Sequence, residues 1–181
     1  MSSVTLIAEL ATNHGGNVEL AAEMIREASA AGADIVKTQG YQIKHLQSSD
    51  PQYTWMRQCA LLVAAHRHLI EVATECNVVY LSTAYHVDDL DQLADLGLRA
   101  VKIGSGEGRS DLPALALQRF QTVYATLPWG RGSTTLDRRV TWLATVPLYP
   151  APPECYSQIH RQQGYSDHHI GIAVAQLAIA R

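Results

Sequence analysis

The chain has 181 residues, 47% of them hydrophobic and 17% charged, with a formal net charge of −3. That length suits one domain, residues 1–181, with a substantial core, and the near-balance of charge leaves no basic footprint for nucleic acid or an anionic membrane surface. Cys59, Cys76 and Cys155 show no disulfide or zinc spacing, the N-terminus has no basic signal region, and no apolar run is long enough to span a bilayer, so a reducing cytoplasm is the expected location.

In chain order, residues 4–8 predict a first strand. Residues 18–31 predict a helix with Leu20, Ala21, Met24, Ile25 and Ala28 on one face and Gly32 as its stop. Residues 33–36 predict the second strand, and 40–57, rich in Gln, Ser and His, a loop over the strand ends. A helix over 60–76 leads to a strand over 78–81. Asp88 to Leu96 reads as a short helix stopped by Gly97, followed by a strand over 98–101. A brief helix at 112–118, strands at 122–125 and 141–146, a strand around Tyr165 and a helix over 171–181 complete the series. Strand–helix alternation without hairpin signals predicts parallel βαβ units. The expected fold is therefore α/β, a TIM-type (β/α) barrel of about seven units. An eight-unit barrel uses roughly 250 residues, so this one is minimal or incomplete.

The polar residues fall where these strands stop. Lys37 and Lys102 end apolar runs, as do Thr83, Ser105 and Ser166, while Gly104 and Gly106 allow backbone close to a ligand. Ammonium groups flanked by hydroxyls and backbone N–H groups form an anion site, because the carboxyl ends of parallel strands open onto one crevice. Glu9 and Glu107 follow strands in the same way. They can orient sugar hydroxyls or move protons, or they can simply balance the lysines.

Adjacent His168 and His169 on a strand point to opposite faces and do not both reach one ion. His168 is a candidate divalent-metal ligand, and His14 lies on another loop that can converge on the same end. His45, His66, His68, His86 and His160 are expected at solvated or helix-surface positions. Trp129, between loop residues near Gly130 and Gly132, and Tyr149, between Leu148 and Pro150, are aromatics suited either to a sugar face or to packing.

Taken in order, the motifs Ala8-Glu9-Leu10-Ala11-Thr12-Asn13-His14-Gly15-Gly16, Ile35-Val36-Lys37-Thr38-Gln39, Leu81-Ser82-Thr83-Ala84-Tyr85, Lys102-Ile103-Gly104-Ser105-Gly106-Glu107, Tyr149-Pro150-Ala151-Pro152 and Gly164-Tyr165-Ser166-Asp167-His168 resemble the sialic acid synthase family. That resemblance implies condensation of phosphoenolpyruvate with an N-acetylated hexosamine. It implies that Lys37, Thr83, Lys102, Ser105 and Ser166 hold phosphoenolpyruvate. It further implies that Glu9, Gln39, Glu107 and Tyr149 face the amino sugar, and that His168 ligates a manganese- or magnesium-like ion.

The chain departs from the family pattern in places. A second metal-ligating histidine motif and the C-terminal antifreeze-like domain are not found in it, Leu143-Ala144-Thr145 replaces a His-Cys-Thr pattern, and Pro147 stands at a usually polar position. Two other functions stay open on the residues alone: a non-catalytic protein that binds phosphate-bearing ligands or a protein partner, and a sugar-phosphate aldolase working through a lysine Schiff base. An unpaired strand edge and the apolar face of Ile172, Val174, Ala175, Leu177 and Ala178 suggest a homodimer.

Overall fold

The computed structural model describes residues 4–132 and 137–180. The chain divides into two compact units, Met1–Val101 and Lys102–Arg181.

In the first unit three strands, β1 (Ile7–Ala11), β2 (Ile35–Gln39) and β3 (Val79–Ala84), pair in parallel and in chain order. One face of this sheet carries the core. Val36 and Tyr80 pack against Ala21, Ala22 and Ile25 of helix α1 (Val18–Ala30) and against Leu69, Val72 and Ala73 of α3 (Val63–Glu75). Helix α1 begins where the Asn17 side chain accepts from the Leu20 N–H at 3.1 Å, and it ends before Gly32, whose φ of +92° is open to glycine at no steric cost. The opposite face carries Glu9, Lys37, Gln39 and Thr83, since side chains alternate along a strand. The register sets Glu9 opposite Lys37, Lys37 opposite Leu81, and Gln39 opposite Thr83. Helix α4 (Val87–Asp95) buries Leu90 and Leu93, and Asp89 anchors its start by accepting from the Tyr85 and His86 N–H groups at 3.0 and 2.9 Å.

Strand β4 (Ala100–Ile103) crosses the division. In the second unit β5 (Thr122–Pro128), β6 (Val140–Thr145) and the two-residue β7 (Gly164–Tyr165) pair in parallel, again in chain order. The helices here are short: α5 (Leu112–Ala116) and α6 (Ala173–Ile179). The link from β6 to β7 has only a 3-10 turn, Pro153–Gln158. Parallel pairing with strand–helix alternation is the α/β barrel class, here with seven strands among the described residues where a closed TIM barrel has eight. No helix among the described residues is long and apolar enough to cross a membrane.

Several boundaries differ from expectation, for a common reason. Strands β1 to β4 start one to three residues and end two or three residues later than their apolar runs, because the backbone ladder continues through Glu9, Lys37 to Gln39, Ser82 and Thr83, and Lys102. The polar stretch 40–57 is not all loop: it holds a 3-10 turn, Ile43–His45, and the start of α2 (Tyr53–Cys59). The helix expected over 60–76 is α3 alone, Val63–Glu75. The last helix is limited to α6, and Arg181 lies outside the described residues.

Candidate active site

The first unit gathers Glu9, Lys37 and Thr83 at the carboxyl ends of its strands. The Lys37 ammonium is buried; it donates to Thr83 Oγ1 at 3.0 Å and forms a close ion pair with Glu9. Taking an ammonium out of water costs several kcal/mol unless its protons are met, and these partners meet two of the three. Glu9 is the reachable half of the pair: its side chain is 47% exposed against 10% for Lys37. Charge balance, one of the readings open for Glu9 in the sequence, is thus a role it performs. Its other oxygen accepts from the Ala11 N–H at 2.9 Å, where β1 bulges against β2 and Ala11 takes φ +48°. Gln39 lies half-buried at the end of the same strand.

In the second unit Lys102 repeats the arrangement. It too is buried, and it donates to Thr126 Oγ1 at 2.6 Å and to the Ile103 carbonyl at 2.9 Å. The turn after β4 carries half-buried Ser105 and Glu107. It approaches β5 so closely that a Cβ on Gly108 would stand 1.9 Å from the Thr126 carbonyl oxygen. Gly108→Ala must therefore push the turn off the strand that holds Thr126. The expected cost is about 1–3 kcal/mol of unfolding free energy, read from urea unfolding, while Gly106→Ala, with open space at its Cβ, should leave stability unchanged.

At the end of β6 and β7 stands His168. Its Nδ1 lies 2.8 Å from the Val146 carbonyl, which only accepts, so Nδ1 carries the proton and Nε2 the lone pair. The Tyr149 hydroxyl donates to that Nε2 at 2.6 Å, and the two rings lie 3.8 Å apart at 31°. Ser166 continues the ladder, its N–H donating to the Ala144 carbonyl at 2.8 Å, and its carbonyl accepts from Thr145 Oγ1 at 2.8 Å. His169 lies beyond the two-residue β7 and has partners of its own, and both of its ring nitrogens are occupied: Nδ1 by Asp167 at 2.6 Å, Nε2 by the Pro152 carbonyl at 3.1 Å. Trp129, with φ +57°, is pinned by its backbone between Thr145 and His160.

One histidine contradicts expectation. His66 is fully buried rather than on a helix surface, because helix α3 turns it onto β3, where Nδ1 meets the Tyr80 hydroxyl at 2.8 Å. Tyr80 continues to Thr38 at 2.7 Å, and Thr38 donates to Ser82 at 3.3 Å, so protons run one way along the row from His66 to Ser82. His66 Nε2 is buried without a hydrogen-bond partner, and burial, with His14 nearby, pushes the pKa down to about 4. His14 is itself buried; its Nδ1 accepts from the Gly16 N–H at 3.1 Å and closes the turn after β1, and burial lowers its pKa as well.

With this geometry in view, the comparisons decide the family. The model of the NeuB family matches residues 24–123. The chain belongs to the NeuB family. Among its curated NeuB-type relatives, the N,N'-diacetyllegionaminic acid synthase of Campylobacter jejuni is 28% identical over 223 aligned positions, covering 99% of this chain and 65% of that protein. The N-acetylneuraminate-9-phosphate synthase of Drosophila melanogaster is 28% identical over 99% of this chain and 58% of its own length. The chain thus spans less than two thirds of these relatives. A solved N-acetylneuraminic acid synthetase from Leptospira borgpetersenii, in complex with citrate, superposes with a TM-score of 0.83 at 25% identity, over 99% of this chain and 70% of that one. The 223 aligned positions exceed the 181 residues of this chain, so the Campylobacter protein carries internal segments that this NeuB-family chain lacks, in keeping with its short helices.

Four residues of this NeuB-family chain belong to the strand-end groups without having been given a site role in the sequence. Thr126 holds Lys102 and Thr145 holds Ser166, while Asp167 and His169 brace the segment beside His168. Thr126 carried the same signal as Thr83, a hydroxyl closing an apolar run.

Proposed function

We propose that the chain condenses phosphoenolpyruvate with an N-acetylated amino sugar, forming a carbon–carbon bond and releasing phosphate. The observation that carries this reading is a repeated one: in a NeuB-family chain, two buried strand-end lysines are each bonded to a buried strand-end threonine, Lys37 to Thr83 and Lys102 to Thr126. Buried ammonium groups kept at strand ends suit a dianionic ligand, whose phosphate and carboxylate gain charge-assisted hydrogen bonds there.

Lys37, Thr83, Lys102, Ser105 and Ser166 are the proposed phosphoenolpyruvate ligands, and Gln39, Tyr149, Glu9 and Glu107 the proposed acceptor contacts. In the reaction, the methylene carbon of the enol attacks the open-chain sugar aldehyde, and the aldehyde oxygen takes up a proton. Water adds to the resulting oxocarbenium carbon and loses its proton. The tetrahedral intermediate then expels phosphate with cleavage of the C–O bond. Glu9, exposed enough to reach solvent, and Glu107 are the proposed proton carriers.

A divalent cation would supply Lewis-acid polarisation of the aldehyde. His168 is its proposed ligand, and the Val146 carbonyl fixes the ring with the lone pair on Nε2, the form a metal takes. The donor set falls short, however. Tyr149 already donates to that Nε2, and no group of three His, Cys, Asp or Glu among the described residues is disposed to hold an ion.

That short donor set favours a second reading, a protein that binds phosphate-bearing ligands without turnover. Phosphate release separates the two. Release that requires phosphoenolpyruvate and an N-acetylhexosamine together, with manganese present, is expected of the synthase. Phosphoenolpyruvate binding without release, for every acceptor tried, would select the binding protein.

A further inference from the structure

Within the second unit, the segment after β6 is tied to the segment after β7 by more than backbone. The Ala151 N–H donates to the His168 carbonyl at 2.9 Å, and Ala151 and His169 form an isolated parallel bridge. Across that bridge reaches His169, whose side chain is only 1% exposed. Its Nε2 lies 3.1 Å from the Pro152 carbonyl, which only accepts, so Nε2 is a donor. Its Nδ1 lies 2.6 Å from Asp167, and the same carboxylate oxygen accepts the His169 N–H at 3.0 Å. Tyr165 adds its hydroxyl at 3.3 Å and a tilted ring contact.

Both nitrogens of this ring are thus engaged within the protein. What it holds is the turn that carries Tyr149. Tyr149 is 78% exposed, yet its hydroxyl is placed 2.6 Å from His168 Nε2 and its ring lies 3.8 Å from the His168 ring. An exposed phenol held at such a distance needs its backbone anchored, and the His169–Pro152 bond lies three residues from Tyr149.

We propose that His169, oriented by Asp167, is a positioning residue that clamps the 149–152 turn and so sets Tyr149 against His168. The consequence for function rests on Tyr149 and His168 being site residues as proposed above. The clamp itself does not depend on that reading. Two adjacent histidines then have separate duties, His168 offering its Nε2 to the site and His169 holding the frame.

Long-range 1H–15N NMR of the imidazoles tests the clamp without any ligand. In the unaltered chain His168 should show a bare Nε2 accepting a hydrogen bond and a slowly exchanging Nδ1–H, and His169 a slowly exchanging Nε2–H. His169→Gln, whose amide keeps a donor near the Nε2 position, should preserve the His168 pattern. His169→Asn, which reaches Asp167 but not Pro152, should lose the Nε2 hydrogen-bond shift of His168 and raise its Nδ1–H exchange at least tenfold. An unchanged His168 pattern in His169→Asn would overturn the clamp. If neither variant folds, the unaltered spectrum decides, and absence of a slowly exchanging His169 Nε2–H overturns it. Phosphate release by the same variants keeps the two claims apart. A lost His168 pattern with full turnover would leave the clamp standing and remove Tyr149 and His168 from the site.

Discussion

Lys102→Met should weaken phosphoenolpyruvate binding by roughly 30-fold or more, the effect of removing one buried charge-assisted contact, about 2–5 kcal/mol, while the chain stays folded. Methionine fills the volume of the lysine stem, and replacing a buried charge by an apolar side chain is often neutral for stability because the desolvation cost disappears with it. Thr126, left without the ammonium, keeps a hydroxyl that can turn to a backbone carbonyl. Thr126→Val should therefore weaken binding less than Lys102→Met, since it only loosens the ammonium that Thr126 now holds at 2.6 Å. Calorimetric titration with phosphoenolpyruvate reads both, and thermal melting checks the fold. Equal affinity in Lys102→Met and the unaltered chain would remove Lys102 from the binding site.

The second large effect is acid destabilisation centred on His66. Folded, the imidazole takes a proton only near pH 4, because a charge there would be buried and the Nε2 proton would have no acceptor. Unfolded, it takes one near its ordinary value of 6.5. Between those values the unfolded chain binds the extra proton, so stability rises with pH. The contribution is complete above about pH 6.5 and is lost as the pH falls towards 4. A separation of that size corresponds to about 3 kcal/mol, and the lowered pKa of buried His14 acts in the same direction. Urea unfolding at pH 7 and pH 4.5 should show the loss, and His66→Gln, which does not titrate, should flatten it. A slope unchanged in His66→Gln would assign the acid sensitivity elsewhere.

The fold class was legible because apolar runs alternate with helical periods, and parallel pairing follows from that order. Lys37, Thr83 and Lys102 were legible as strand-end residues for the same reason. Thr126 escaped because the expected strand closes at Ala125, whereas the ladder of β5 runs on to Pro128. Thr145 lay inside an expected strand and so read as filling. His66 shares the buried face of α3 with Leu69, Val72 and Ala73, a core pattern that the polarity of histidine masked. The role of His169 was not legible at all, since its partner Pro152 lies seventeen residues away and contributes only a backbone carbonyl. Polar stretches such as Tyr53–Cys59 hid a helix because helical backbone forms there without a strong apolar face.

The most direct test of the proposed chemistry uses phosphoenolpyruvate labelled with 18O at the bridging position, incubated with the chain, manganese and an N-acetylhexosamine, with the products examined by mass spectrometry. Attack by the enol carbon followed by C–O cleavage predicts heavy phosphate together with a product in which sugar and pyruvate are joined. Unlabelled phosphate, which reports P–O cleavage, or labelled phosphate with no joined product, would contradict the account.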